Sequence, residues 1–180
     1  GLANFHFVQR QLIFLFPAGN GDEWRARLAG VPDKKHVAVL PFSSIGADET
    51  QQAFADGLTE TVTSKLSELE PFQNGFWVVP STEVRARKLT SVEETRNSFG
   101  VTLVLTGSIQ HQGDIILVTA NLVDARTLNQ LQSRTIEIPA QSTATMQARV
   151  MGKISEMMGI GLLPDAQRVV SAGQTNNAEG

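Results

Sequence analysis

The chain contains no cysteine. This excludes disulfides, thiolate metal sites and cysteine nucleophiles within these residues, and it leaves the redox compartment open. Long apolar runs are missing too, since no segment reaches the roughly 20 apolar residues that a membrane helix needs. Charge of one sign is scarce: 15 basic and 18 acidic residues give a net −3. So mild an acidic balance provides no general attraction to nucleic acid or anionic lipid. There is no Gly-x-Ser-x-Gly elbow and no Ser-x-x-Lys pair. Gly19 and Gly21 mark a turn, not a phosphate loop, because no strand leads in at the required spacing and no Lys-Ser or Lys-Thr pair follows. His6, His36 and His111 stand alone in three segments, without the spacing of a helix-borne metal site. No metal, cofactor or catalytic constellation is expected, and the residues by themselves name no reaction.

What is present is enough for one well-formed core: 180 residues, of which 41% are hydrophobic. The stretch Lys35–Leu69 organises it. Val37, Ala38, Val39 and Leu40 form a short apolar run with two β-branched members, which predicts a strand over His36–Phe42 covered on both faces, with Pro41 as its stop. A polar turn runs through Asp48. Apolar residues then recur at Phe54, Leu58, Val62, Leu66 and Leu69, one face of a long helix. Asp48 with Gln51 reads as its capping box. Strand, loop and helix begin a β-α-β unit.

Ahead of this unit, Asn4–Pro17 fits two patterns. Phe5, Val8, Leu12 and Leu15 could line a helix, while Leu12–Phe16 is an apolar run of strand length. Trp24 with Leu28 suggests a short helix capped by Asp22, and Gly30–Lys35 reads as a linker. Beyond the long helix come a connection at Pro71–Gly75 and a second strand at Phe76–Pro80. Ser91 to Glu94 form a capping box for a helix running through Phe99, which Gly100 can end. Strands at Val101–Ile109, Ile115–Val123 and Leu131–Ile138 follow, joined by turns at Gln110–Asp114 and Asp124–Asn129. Ser142–Met158 reads as a last helix, with Met146, Val150, Ile154 and Met157 on one stripe, a core pattern more than a partner-binding one. From Pro164 the chain is polar and reads as a linker to a further region. The expected fold is α/β (α+β): one mixed sheet of about five strands in the order β-α-β-α-β-β-β-α, helices packed on it. Residues 1–34 form an extension, 35–162 the domain and 163–180 a linker. Two parallel crossovers place the first two helices on one face unless the winding reverses.

Candidate site residues follow from this topology. Ligand sites of parallel sheets lie at the carboxyl ends of the strands, which here means Ser43, Ser44 and Ser81. Asp56, Glu60 and Glu68 form an acidic face on the long helix, opposite its apolar stripe. Arg85, Arg87 and Lys88 make the one compact basic cluster, which carries a second reading as a nucleic-acid-binding domain; it lacks the interleaved aromatics of a single-strand platform.

The runs Lys35–Phe42 (KHVAVLPF), Phe54–Glu60 (FADGLTE), Trp77–Ser81 (WVVPS), Gly100–Ile109 (GVTLVLTGSI) and Thr119–Asp124 (TANLVD) together resemble the module similar to the amino-terminal domain of TolB. The resemblance covers roughly residues 35 to 160. It implies a non-enzymatic sensor or protein-interaction module of a bacterial signalling protein. Such modules stand between a membrane segment and tetratricopeptide-type repeats, behind a serine/threonine kinase, a transcriptional-regulator or a cyclase domain. A kinase parent would place the module extracytoplasmically, with its anchor and catalytic domain outside this chain, a protein as partner, and Asn4–Pro17 free to pair two copies. The resemblance brings no catalytic residues. It gives Pro41 as a strand stop, Asp56 as a helix-surface residue awaiting a partner or ligand, Gly57 as a close packing point and Gly107 as a strand glycine.

Overall fold

The structure is a computed structural model and describes residues 22–46 and 49–160. Asn4–Pro17, the Asp48 cap and the stretch from Pro164 lie outside the described residues.

The first strand, β1 (Lys35–Val39), is covered on both faces as its unbroken apolar run predicts. Val37 and Val39 enter one buried cluster and Ala38 with Leu40 the other. It ends earlier than expected. Pro41 offers no amide proton, so the ladder stops before Phe42. The chain then resumes as a short β2 (Ser43–Ile45), inside what the sequence suggested was only turn. After β2 comes the long helix α2 (Glu49–Glu68), then β3 (Phe76–Val78). A short helix α3 (Ser81–Ala86) follows where only a connection was expected. Next are α4 (Val92–Phe99), β4 (Leu103–Gln112), β5 (Ile115–Asp124), β6 (Gln130–Pro139) and α5 (Thr143–Met158). Ahead of all these lies α1 (Asp22–Leu28). Asp22 is its first residue, where a cap was expected. Trp24 and Leu28 remain exposed, and Ala26 is the residue that enters the core.

The sheet is mixed, with strand order β3-β1-β4-β5-β6 and β2 beside β4. β1 runs parallel to β3 and β4, while β4, β5 and β6 form an antiparallel meander. From β1 the chain steps outward to β3, then crosses back over β1 to β4. That reversal puts successive crossover helices on opposite faces. Leu58, Val62 and Leu66 of α2 pack on one face together with Met146, Val150, Ile154 and Met157 of α5. Val84 of α3 with Val92 and Phe99 of α4 covers the other. The methionine stripe is therefore core.

Local signals explain the joints. Ser91 Oγ accepts the Glu94 amide at 3.2 Å, and Gly100 closes α4 at φ 66°. Asp124, at the β5–β6 turn, is buried. Burial acts to raise its carboxyl, but hydrogen bonds from the Arg126 side chain and amide outweigh that and hold it below its ordinary value. At the same end of the sheet, beside the start of β1, Thr102 Oγ1 accepts the His36 amide at 3.0 Å and donates to the Lys34 carbonyl at 2.8 Å. The Lys35 ammonium is lowered by burial, against the pull of Asp33 and Glu23.

Of the two motif glycines, Gly107 is a strand glycine as expected, inside β4, and Gly57 departs from its expected role. A Cβ on Gly107 would lie 2.7 Å from the Thr119 carbonyl oxygen and 2.8 Å from the Phe42 ring. Gly107 is thus the close packing point. Gly57 is not, since a Cβ there would meet nothing within 4 Å.

Candidate functional site

The carboxyl ends of β1 and β3 open between α2 and α3. Asp56 and Glu60 sit one turn apart on α2, and Ser81 and Arg85 one turn apart on α3, so each pair shares a helix face. The two faces meet across a cleft of about 500 Å³. Ser81 Oγ donates to Glu60 Oε1 at 3.0 Å, and Arg85 Nη2 pairs with Glu60 Oε2. Both partners of that ion pair are about half exposed, so its contribution to stability is small, about 0–1 kcal/mol. Val39, Pro41 and Val84 supply an apolar wall, and Gly57 and Thr59 complete the lining.

Below the cleft, the backbone is fixed by Thr59. Its hydroxyl is buried, donates to the Ala55 carbonyl and accepts the Phe42 amide, both at 2.9 Å. Gln52 Nε2 donates to Asp56 Oδ1 at 3.0 Å and reaches the Phe42 carbonyl at 3.4 Å. Among the described residues no cation pairs with Asp56. One residue on, Gly57 leaves the helix surface bare. Glycine inside a helix costs about 0.5–1 kcal/mol relative to alanine. No packing contact explains it at this position.

Of the candidate residues, Asp56, Glu60, Ser81 and Arg85 therefore come together. The others do not. Ser43 and Ser44 lie on β2, paired with Ser108 and Ile109 of β4, and the Ser44 hydroxyl is buried without a hydrogen-bond partner among the described residues. Arg87 lies over the Phe99 ring at 4.8 Å. Lys88 adopts φ 53° at the end of α3, so the three basic residues do not form one free patch. Thr59 and Val84 were missed; Thr59 could have been found by its place one residue before Glu60 in FADGLTE.

Chemically, the cleft offers a hydroxyl bound to a carboxylate that is itself ion-paired, with no imidazole in the lining. Glu60 is thereby held by both residues of the opposite helix, one through its hydroxyl and one through its guanidinium. Among the described residues, no three His, Asp or Glu side chains are grouped to hold a metal ion. No helix of the described residues is long and apolar enough to cross a membrane.

Comparison with known proteins adds names to this geometry. Residues 33–157 match the family described as HilA/YgeH-like transcriptional regulator, second domain. The chain is similar to the "Putative adenylate cyclase 3" of Rhizobium meliloti (strain 1021), 31% identical over 99 residues. That match takes in 54% of this chain and 16% of the relative, so the chain spans about one sixth of the curated relative's length. Among solved structures it is similar to TolB from Acinetobacter baumannii, the likeness anticipated by the sequence resemblance (19% identical, 71% of this chain, 29% of that chain, TM-score 0.48). It is also similar to lipoprotein GNA1162 from Neisseria meningitidis (20% identical, 67% of this chain, 96% of that chain, TM-score 0.48).

Proposed function

Because the chain belongs to the family of the second domain of HilA/YgeH-like transcriptional regulators, we infer that it is a non-enzymatic input module. Its α2–α3 cleft binds a ligand or a partner's side chain and passes that occupancy to an effector domain of a larger parent protein. The observation that supports this reading is the convergence of Asp56, Glu60, Ser81 and Arg85 on one cleft, with Glu60 bound to both Ser81 and Arg85. The names of the relatives support a regulatory parent: one is a transcriptional regulator's second domain, the other a cyclase of which the match takes in 16%. As effector we take a regulator or cyclase domain ahead of the serine/threonine kinase that the TolB-like resemblance also brings. The resemblance further carries an extracytoplasmic position in an inner-membrane parent, and pairing of two copies through Asn4–Pro17. Light scattering of the chain beside a version starting at Asp33 reads the pairing, and a phosphatase fused to the parent directly after Ile160 of this chain reads the side of the membrane.

The test of the central reading is made on the complete coding sequence in which the chain occurs. Glu60→Gln with Arg85→Gln should shift effector output about fivefold or more, the usual size of a coupling between sites, while the module's thermal unfolding stays cooperative. Unchanged output, or specific turnover of a substrate by the isolated chain, would overturn it.

A further inference from the structure

The cleft's charges do not cancel, and what is left over identifies the ligand chemistry. Glu60 and Arg85 neutralise each other, and Ser81 spends its proton on Glu60. That leaves the Asp56 carboxylate, exposed, touched only by the neutral Gln52 amide and without a cationic partner among the described residues. Beside it, Gly57 keeps the helix surface bare although nothing packs against it, so the space there is open to an occupant. Val39, Pro41 and Val84 line the same cleft. At about 500 Å³ the volume lies within the range of small-molecule pockets, roughly 300–1,000 Å³.

We propose that the cleft is a receptor for a small organic cation: an ammonium or guanidinium group held at Asp56, its apolar stem laid over Gly57 against Val39, Pro41 and Val84. This rests on the cleft being the module's input, and it adds the class of ligand. The same chemistry has two sources, a free alkylamine or a lysine or arginine side chain offered by a protein partner. An anionic ligand is disfavoured, because Arg85 is already paired and Asp56 faces the same space.

The test is calorimetric titration of the 180-residue chain with cadaverine, with pentanol as the uncharged control. Cadaverine binds saturably and pentanol does not. Asp56→Asn weakens cadaverine about tenfold or more, and Gly57→Leu, which fills the space, removes binding while the circular dichroism melt remains cooperative. A blocked pentapeptide with a central lysine, run beside its norleucine counterpart, separates the sources. If the lysine peptide binds about tenfold tighter than cadaverine, the source is a partner's side chain; if it binds more weakly, it is a free amine. Absence of saturable binding by either amine up to about 10 mM, or binding that Asp56→Asn leaves unchanged, would overturn the proposal. Should amines fail while Glu60→Gln with Arg85→Gln still alters effector output, the ligand class is wrong and the input reading stands. Should amines bind while output is indifferent to the cleft, the input reading is wrong and the binding site stands.

Discussion

Gly107 and Gly57 both lie in motif segments, and both sit inside an unbroken regular element, yet their surroundings are opposites. Around Gly107 the molecule is closed. Phe42 presses its ring onto the strand, the Thr119 carbonyl oxygen fills the neighbouring space, and Thr59 ties the Phe42 amide from the α2 side. Around Gly57 it is open, with no atom within 4 Å of a would-be Cβ and a cleft of about 500 Å³ alongside. The same residue type thus serves two purposes. In the first region glycine permits contact, and its removal should cost stability. In the second it preserves a vacancy at the expense of helix stability, which makes sense only if the vacancy is used.

Substitutions can break or sharpen this contrast. The largest effect is expected from Gly107→Ala, whose methyl group would overlap a backbone oxygen and a buried ring. Overpacking of this kind costs about 1–3 kcal/mol, occasionally more, and should appear as a lower denaturant midpoint at unchanged slope. If the midpoint holds, the seam is not closed. Thr59→Val keeps the shape and removes the hydroxyl, leaving the Phe42 amide unpaired at a buried site, for a loss of about 1–3 kcal/mol. Thr59→Ser should recover part of it, and equal losses for the two variants would show that the methyl, not the hydrogen bond, matters. Gly57→Ala has the reverse sign. It should stabilise the chain by about 0.5–1 kcal/mol, seen as a raised melting temperature. The smallest effect belongs to Glu60→Gln with Arg85→Gln: about 0–1 kcal/mol in stability, measured by urea unfolding, against a marked change in binding or output. A large stability loss there would mean that the pair is structural and the cleft belongs with the closed region.

Much of this architecture was legible in the sequence. The unbroken Val37–Leu40 run announced a strand covered on both faces, the spacing of Leu58, Val62 and Leu66 set the buried face of α2, and Ser91 with Glu94 marked the start of α4. Other features depended on distant partners. β2 exists because β4 offers it a ladder beyond Pro41, a pairing that three residues cannot advertise by themselves. α3 is short and has one buried residue, Val84, too little for a periodic pattern. The reversal of winding was left open in the sequence, since the strand order depends on which edge of β1 the later strands join. Candidate residues at the strand ends and on the α2 surface were found, and their convergence was not, because it requires α3 to carry Ser81 and Arg85 against α2. Gly57 is not the packing point its motif suggested, and the strand glycine Gly107 is, for the same reason: sequence shows where a side chain is missing, and only packing shows whether the space is filled.

The most direct measurement is the melting temperature of Gly57→Ala, taken with and without saturating cadaverine. The account predicts a midpoint above wild type in plain buffer and a smaller rise on adding the amine than wild type shows. A midpoint below wild type in plain buffer would make Gly57 a packing residue after all, and an undiminished rise would place the amine elsewhere; either result would contradict the claim that this glycine keeps a working cleft open.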